Sequence, residues 1–184
     1  MDRLVHQLQR EAEGLSVQRE ELRSFLTEFA ADRLALIHRH EAAARVVSHY
    51  DFNNAYQYVI AREETHLSWL ETALTEISAP MPAAAPIVAV AEPAKGRKSP
   101  DASAFRDILS EDVRLLGGFV DKWRDRVDVL SHARHRTMLN VILGESLEHE
   151  RLFEQAASGL EDVIGRRTGG VPRVGAVLPA RWQE

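Results

Sequence analysis

Apolar residues recur every three or four positions in four stretches of the chain, which is the spacing of amphipathic helices. The first stretch runs from Ser16 to Tyr50 without a proline or glycine, and Asp and Asn residues at 51–54 predict a turn after it. The second stretch follows this turn. The apolar positions of the two stretches are Leu22, Phe25, Leu26, Phe29, Leu36, Ile37, Ala44 and Val47, then Val59, Ile60, Leu67, Leu70, Leu74 and Ile77.

The composition changes over residues 79–102, which are rich in proline and alanine and predict an extended connector. Two further helices follow it, with a turn predicted near 128–131. Residues 1–14 predict a short separate helix that ends at Gly14, and residues 165–184 predict an irregular tail. The apolar positions of the third and fourth helices are Phe105, Ile108, Leu109, Leu115, Leu116, Phe119, Trp123 and Val127, then Met138, Val141, Ile142, Leu152, Phe153 and Ala156.

The length of the connector separates two possible arrangements of these helices. A helix of about 27 residues is about 40 Å long, and an extended chain covers about 3.3 Å per residue. The connector can therefore return along the whole bundle, although it could instead be a flexible linker between two helical hairpins. We predict an all-α protein whose residues 1–164 form one four-helix bundle, with a long crossover between the second and third helices.

Composition excludes several classes of function. The chain has 184 residues, no cysteine and a formal net charge of -5. Thiolate metal sites, iron-sulfur clusters and cysteine nucleophiles are therefore absent, and a basic surface that would attract nucleic acid is not expected. The sequence also predicts no secretory signal and no membrane-spanning segment, so we expect a cytoplasmic protein that binds neither nucleic acid nor membranes.

Two pairs of polar residues fall on the apolar faces of predicted helices. Glu63 and His66 lie within the apolar arc of the second helix, and Glu145 and His149 lie within that of the fourth. Spacings of three and four residues place each carboxylate beside its imidazole. Because an ionised carboxylate in a protein core needs a partner, a metal ion is one explanation and a network of hydrogen bonds is the other.

The other two helices offer a carboxylate at the matching height. Opposite Glu63, the first helix carries His40 and Glu41; His40 lies nearer the centre of the apolar face. Opposite Glu145, the third helix carries Asp112 inside its apolar arc and Glu111 to one side of it. Spacing alone does not decide between His40 and Glu41, or between Asp112 and Glu111.

Taken together, this constellation resembles the ferritin-like superfamily, and its rubrerythrin-like members most. The resemblance covers about residues 26–157 and depends on the order of Glu41, Glu63 with His66, the connector, Glu111 or Asp112, and Glu145 with His149. It implies a metal site formed by Glu41, Glu63, His66, Glu145 and His149 with either Glu111 or Asp112, and Glu41 is preferred to His40 because residues 40–45 look like the family's first ligand segment. The implied cofactor is two iron ions, with manganese as the alternative.

Two functions from different classes follow. The first is a non-haem dimetal protein that reacts with dioxygen or peroxide as a ferroxidase, peroxidase or oxidase. The second is a metal-free, degenerate ferritin-like module that acts through contacts with partners. We also expect a homo-oligomer, with a dimer as the first choice, and docking by the C-terminal tail, where Trp182 stands close to Pro179.

Overall fold

The computed structural model describes residues 2–83, 89–91 and 102–165, with side chains from residue 16 onward. Four α-helices are present in this part: α1 (Asp2–Val46), α2 (Tyr50–Glu76), α3 (Arg106–Asp128) and α4 (Ala133–Ala157), and one turn of 3-10 helix at Ala102–Phe105 precedes α3. No strand occurs among the described residues, so the all-α class and the four helices are confirmed. Within the same ranges, no helix has both the length and the apolar character needed to cross a bilayer.

The first helix differs from its prediction at both ends. Instead of a separate helix over residues 1–14, α1 continues from Asp2 through Gly14 to Val46. One glycine costs a helix interior only about 1 kcal/mol relative to alanine, so it does not force a break. The turn lies at residues 47–49, ahead of its predicted position. Asn53 falls within α2, where its side-chain amide donates hydrogen bonds to the carbonyl oxygens of Ala44 (2.7 Å) and Val47 (3.0 Å) at the end of α1.

Ion pairs between α1 and α3 show how these two helices run. Arg126 near the end of α3 pairs with Glu28, and Asp112 near its start pairs with Arg39. The numbering rises along one helix as it falls along the other, so α1 and α3 are antiparallel. Since a short turn joins α1 to α2, the second and third helices point in the same direction.

A second set of pairs orients α2 and α4. Arg134 at the start of α4 pairs with Glu76 at the end of α2, and Glu145 pairs with Arg62 at the middle of α2. Glu76 therefore lies at the end of the bundle where α4 begins, whereas α3 begins at the opposite end. Most of the predicted connector, at 84–88 and 92–101, falls outside the described residues.

The core contains an aromatic layer and a polar layer. In the aromatic layer, Trp123 packs edge-on against Phe25 and Phe29 with ring centroids 5.1 and 4.9 Å away, and its indole nitrogen donates to Asp32. The polar layer, nearer the middle of the helices, is unusual because its side chains are almost wholly buried. Its members are Arg33, His40, Glu63, His66, Asp112, Ser146 and His149.

One exposed glycine in α4 provides a test of the helix assignment. No atom lies within 4 Å of a Cβ built on Gly144. Gly144→Ala is expected to raise the free energy of unfolding by about 1 kcal/mol, because alanine loses less backbone entropy on entering a helix. Urea denaturation measures the change. The matched control is Gly159→Ala, which should lower stability because Gly159 has a φ of 99°. A loss of stability in Gly144→Ala would contradict the assignment of this segment to a helix.

Candidate functional site

The polar layer is organised around Arg33, an α1 residue whose side chain is 0% exposed. One terminal guanidinium nitrogen, Nη1, donates to Ser146 Oγ at 3.1 Å. The other, Nη2, lies 2.9 Å from His66 Nδ1 and 3.3 Å from Glu63 Oε1. Burial lowers the pKa of Arg33, and the negative charges of Glu63 and Glu145 oppose that effect. A positive charge thus lies among side chains from α1, α2 and α4.

Glu63 from α2 is also 0% exposed, and it has a second partner in α1. His40 Nδ1 lies 2.8 Å from Glu63 Oε2, whereas Arg33 faces the other carboxylate oxygen, Oε1. Burial alone would raise the pKa of Glu63, but the nearby His40 and Arg33 outweigh it, and the pKa lies below its ordinary value. Glu63 is therefore a buried carboxylate whose ionised form is stabilised by protein groups.

His66 connects this centre to the edge of the bundle. Because Arg33 can only donate, its contact makes His66 Nδ1 an acceptor, which leaves the ring proton on Nε2. His66 Nε2 then donates to Glu145 Oε2 at 3.0 Å. Arg62 holds the same carboxylate through two hydrogen bonds of 3.0 and 2.6 Å, and these bonds lower the pKa of Glu145. Glu145 is 28% exposed, so it lies at the margin of the cluster.

Asp112 from α3 is buried as well and has partners of its own. Arg39 Nε donates to Asp112 Oδ1 at 2.7 Å, and the Tyr56 hydroxyl donates to Oδ2. Burial and the charge of Asp112 raise the pKa of Tyr56 well above its ordinary value, so Tyr56 keeps its proton. The carboxylate of Asp112 is thus held by one cation and one neutral donor.

The side chain of His149 from α4 is 2% exposed and completes the cluster. Its ring lies 6.3 Å from that of His66, nearly parallel to it, and 6.3 Å from the edge-on ring of Tyr58. Burial lowers the pKa of both His66 and His149 to about 4, so both rings are neutral at pH 7. His149 Nδ1 and His40 Nε2 are buried and have no hydrogen-bond partner.

Some of the predicted site residues lie in the buried cluster, and others lie at the surface. It brings Glu63, His66, Glu145 and His149 into one region, as their spacing predicted. Of the two candidates in α1, His40 contacts Glu63, whereas Glu41 is only half-buried. The two candidates in α3 also divide: Asp112 is buried, and Glu111 pairs with Arg114 at the surface.

Reasoning from carboxylates and histidines alone does not find the arginines of the site. Arg33 lies four residues after Phe29 and four before Ile37, inside the apolar arc of α1, so its position was a usable signal. Arg39 and Arg62 lie outside the apolar arcs and gave no such signal, because their long side chains extend to Asp112 and Glu145 on neighbouring helices.

Each buried or partly buried carboxylate of the cluster is therefore matched to an arginine: Glu63 to Arg33, Glu145 to Arg62 and Asp112 to Arg39. Among the described residues, no three histidine, aspartate or glutamate side chains are grouped so that they could hold a metal ion together. No family model matches the chain, and neither a curated protein nor a solved structure is significantly similar to it.

Proposed function

We propose that this chain is a metal-free member of the ferritin-like type, a binding or structural module in which Arg33 supplies the positive charge that metal ions supply in two-iron bundles. One observation carries the proposal. The guanidinium of Arg33 is fully buried, lies 3.3 Å from the Glu63 carboxylate, and occupies Nδ1 of His66. The helix order and the polar spacing of α2 and α4 support the ferritin-like type.

Ser146 adds support from the opposite side of the cluster. In two-iron bundles a ligand glutamate precedes its histidine by three residues, and in α4 the residue three before His149 is Ser146. Its hydroxyl accepts a hydrogen bond from Arg33 and donates one to the Ile142 carbonyl. Ser146 thus stands where a two-iron bundle has a ligand carboxylate, and the Arg33 guanidinium stands where it has a metal ion. Both replacements keep the core near electrical neutrality.

The donor set does not fit two metal ions with Arg33 in this position. A dication beside Glu63 would be repelled by the guanidinium, and His66 Nδ1 is already an acceptor for Arg33. Glu145 would also have to leave Arg62. Each carboxylate of this cluster is therefore paired with a cation of the protein, although Glu63 Oε1 has no hydrogen-bond partner and meets Arg33 only as an ion pair.

Metal titration tests the proposal. We expect that Fe(II) or Mn(II), added without oxygen to protein stripped with a chelator, will leave the melting temperature unchanged. An ion that binds the folded state and is present at 100 times its Kd would stabilise it by about 2.7 kcal/mol. Glu63→Gln is the control, because a metal effect that survives it comes from other sites. Two ions bound per wild-type chain, and lost in Glu63→Gln, would overturn the proposal.

The two-iron protein is the second candidate, and one observation favours it. His40 Nε2 and His149 Nδ1 are buried without a partner, which is unusual for ring nitrogens in a core. If Arg33 left the cluster, Glu63, His66, Glu145 and His149 would be available as ligands, and two irons would supply reactivity toward dioxygen or peroxide. The titration above distinguishes this candidate from the first.

A further inference from the structure

The first helix is much longer than the other three. α1 has 45 residues, whereas α2, α3 and α4 have 27, 23 and 25. Residues 18–25 of α1 lie level with one end of the bundle, because they line the same cavity as Ile77 after α2 and the α3–α4 turn. At 1.5 Å per residue, residues 2–17 of α1 therefore extend about 24 Å past that end of the bundle.

The start of this projecting part is exposed on every side. Residues 16–21 are all exposed. Six consecutive residues cover the whole circumference of a helix, because one turn contains about 3.6 residues. An isolated helix shorter than about 12–15 residues is marginal in water, and most helical stability in proteins comes from packing of an apolar face. A projecting helix of this kind is expected to pack against another molecule.

The sequence of this part of α1 contains an apolar stripe. Its positions alternate at spacings of three and four, which is the pattern of helices that pair in coiled coils. The same spacing continues to Leu26 and Phe29, which are 0% exposed in the core. The stripe thus belongs to the side of α1 that faces the bundle, and α2, α3 and α4 do not extend far enough to cover it. Its positions are Val5, Leu8, Ala12, Leu15, Arg19 and Leu22.

An apolar cavity lies beside the last position of the stripe. It has a volume of about 580 Å³, and its lining includes Leu22, Phe25, Ile77, Val129 and Leu130. Val129 is 81% exposed. The stripe and the cavity share Leu22, so they form one continuous apolar surface. Large apolar surfaces of soluble proteins mark sites of interaction with other proteins.

We propose that residues 2–22 of α1 pair in antiparallel orientation with the same residues of a second copy of this chain, and that the start of each α1 fills the cavity of the other copy. Packing Val5 of one copy on Leu22 of the other places Ala12 beside Leu15 at the centre of the pair. This interface is remote from the polar cluster, so the inference does not rest on the proposed function.

Space and charge both favour the antiparallel orientation. A parallel copy that faced the stripe would place its own bundle in the space of the first bundle. It would also bring the two Arg19 side chains into one layer, where like charges repel each other. In the antiparallel pair, Arg19 lies beside Leu8 and within about one turn of Glu11 of the second copy. The C-terminal tail at residues 166–184, for which the sequence also predicts docking, falls outside the described residues.

Sedimentation equilibrium tests the pairing. The wild type is expected to have twice the mass of one chain, which is 20.7 kDa. Leu15→Glu should raise the dissociation constant by about 100-fold or more, because it buries two glutamates at the centre of the pair. The matched control is Val17→Glu, since Val17 is an exposed α1 residue outside the stripe, and it should leave the dimer intact. The described core begins at Leu22, so the near-ultraviolet circular dichroism of Leu15→Glu should match that of the wild type.

Three results of this experiment would overturn the proposal. The first is a wild type with the mass of one chain, whether or not its first helix then binds a different protein. The second is a dimer that Leu15→Glu leaves intact, because the interface would then lie elsewhere. The third is an equal loss of the dimer in Leu15→Glu and Val17→Glu, because the stripe would then not be the surface that pairs.

A distance measurement tests the orientation. The chain has no cysteine, so a nitroxide can be attached at one introduced position. In the proposed dimer, residue 3 lies opposite residue 24 of the second copy. Two labels introduced through Arg3→Cys are therefore expected about 32 Å apart by double electron-electron resonance. A parallel pair would hold the labels about 10 Å apart, and that result would contradict the proposal.

Discussion

Arg33→Met is expected to lower the free energy of unfolding by about 3–5 kcal/mol, the usual cost of removing one partner from a buried ion pair. Methionine fills much of the volume of arginine but leaves the fully buried Glu63 without its cation. Glu63 must then keep an unpaired charge in the core or take up a proton. The acceptors His66 Nδ1 and Ser146 Oγ lose their donor as well.

Urea denaturation at pH 7 measures this change. The matched control is Arg23→Met, because Arg23 is a partly exposed α1 arginine whose pair with Glu20 spans 4.0 Å. Its effect should stay within about 0.5 kcal/mol, as expected for a surface position. Similar effects of the two substitutions would show that Arg33 does not occupy the buried position described above.

The second large effect is a loss of stability in mild acid. The pKa of His66 and the pKa of His149 both fall from 6.5 to about 4 in the folded state, mainly because burial disfavours the charged ring. Between these values the unfolded chain binds more protons than the folded one, so stability is complete above pH 6.5 and is lost as the pH falls toward 4. The two rings together are expected to cost about 3–4 kcal/mol between pH 7 and pH 5.

Urea denaturation at several pH values between 7 and 5 gives the slope of stability against pH. His149→Gln removes one of the two rings whose pKa falls to about 4, so the slope should decrease by up to about half; burial also lowers the pKa of His135, and that contribution stays in the variant. A stability that is constant over this range, or a slope that His149→Gln leaves unchanged, would mean that these rings are not buried in neutral form.

The fold and the site were predictable to different extents. Helix number, the α3–α4 turn and the inward placement of Glu63, His66 and His149 followed from a periodicity that burial enforces. Gly14 was misleading, since the cost of one glycine is small beside that of ending a long helix. The turn after α1 was placed too late because Asn53 has the composition of a turn but works as a capping side chain within α2.

The electrostatic partners were not predictable in the same way. Which cation faces a buried carboxylate depends on the side chains of neighbouring helices, and periodicity along one helix does not report them. His40 and Asp112 were recognised as facing inward, but their contacts with Glu63 and Arg39 depend on the packing of α1 against α2 and α3. Arg33 shows the difficulty most clearly, because its place on the apolar face of α1 indicates burial but does not report that its partners are Glu63, His66 and Ser146.

The measurement that tests the central claim most directly is a double-mutant cycle between Arg33 and Glu63, performed with and without a metal chelator. Unfolding free energies are needed for the wild type, Arg33→Met, Glu63→Gln and the double variant. If Arg33 is the cation that faces Glu63, the coupling energy will be about 2 kcal/mol or more and the same with and without the chelator. A coupling near zero in the presence of the chelator, or one that changes when iron is supplied, would contradict the account.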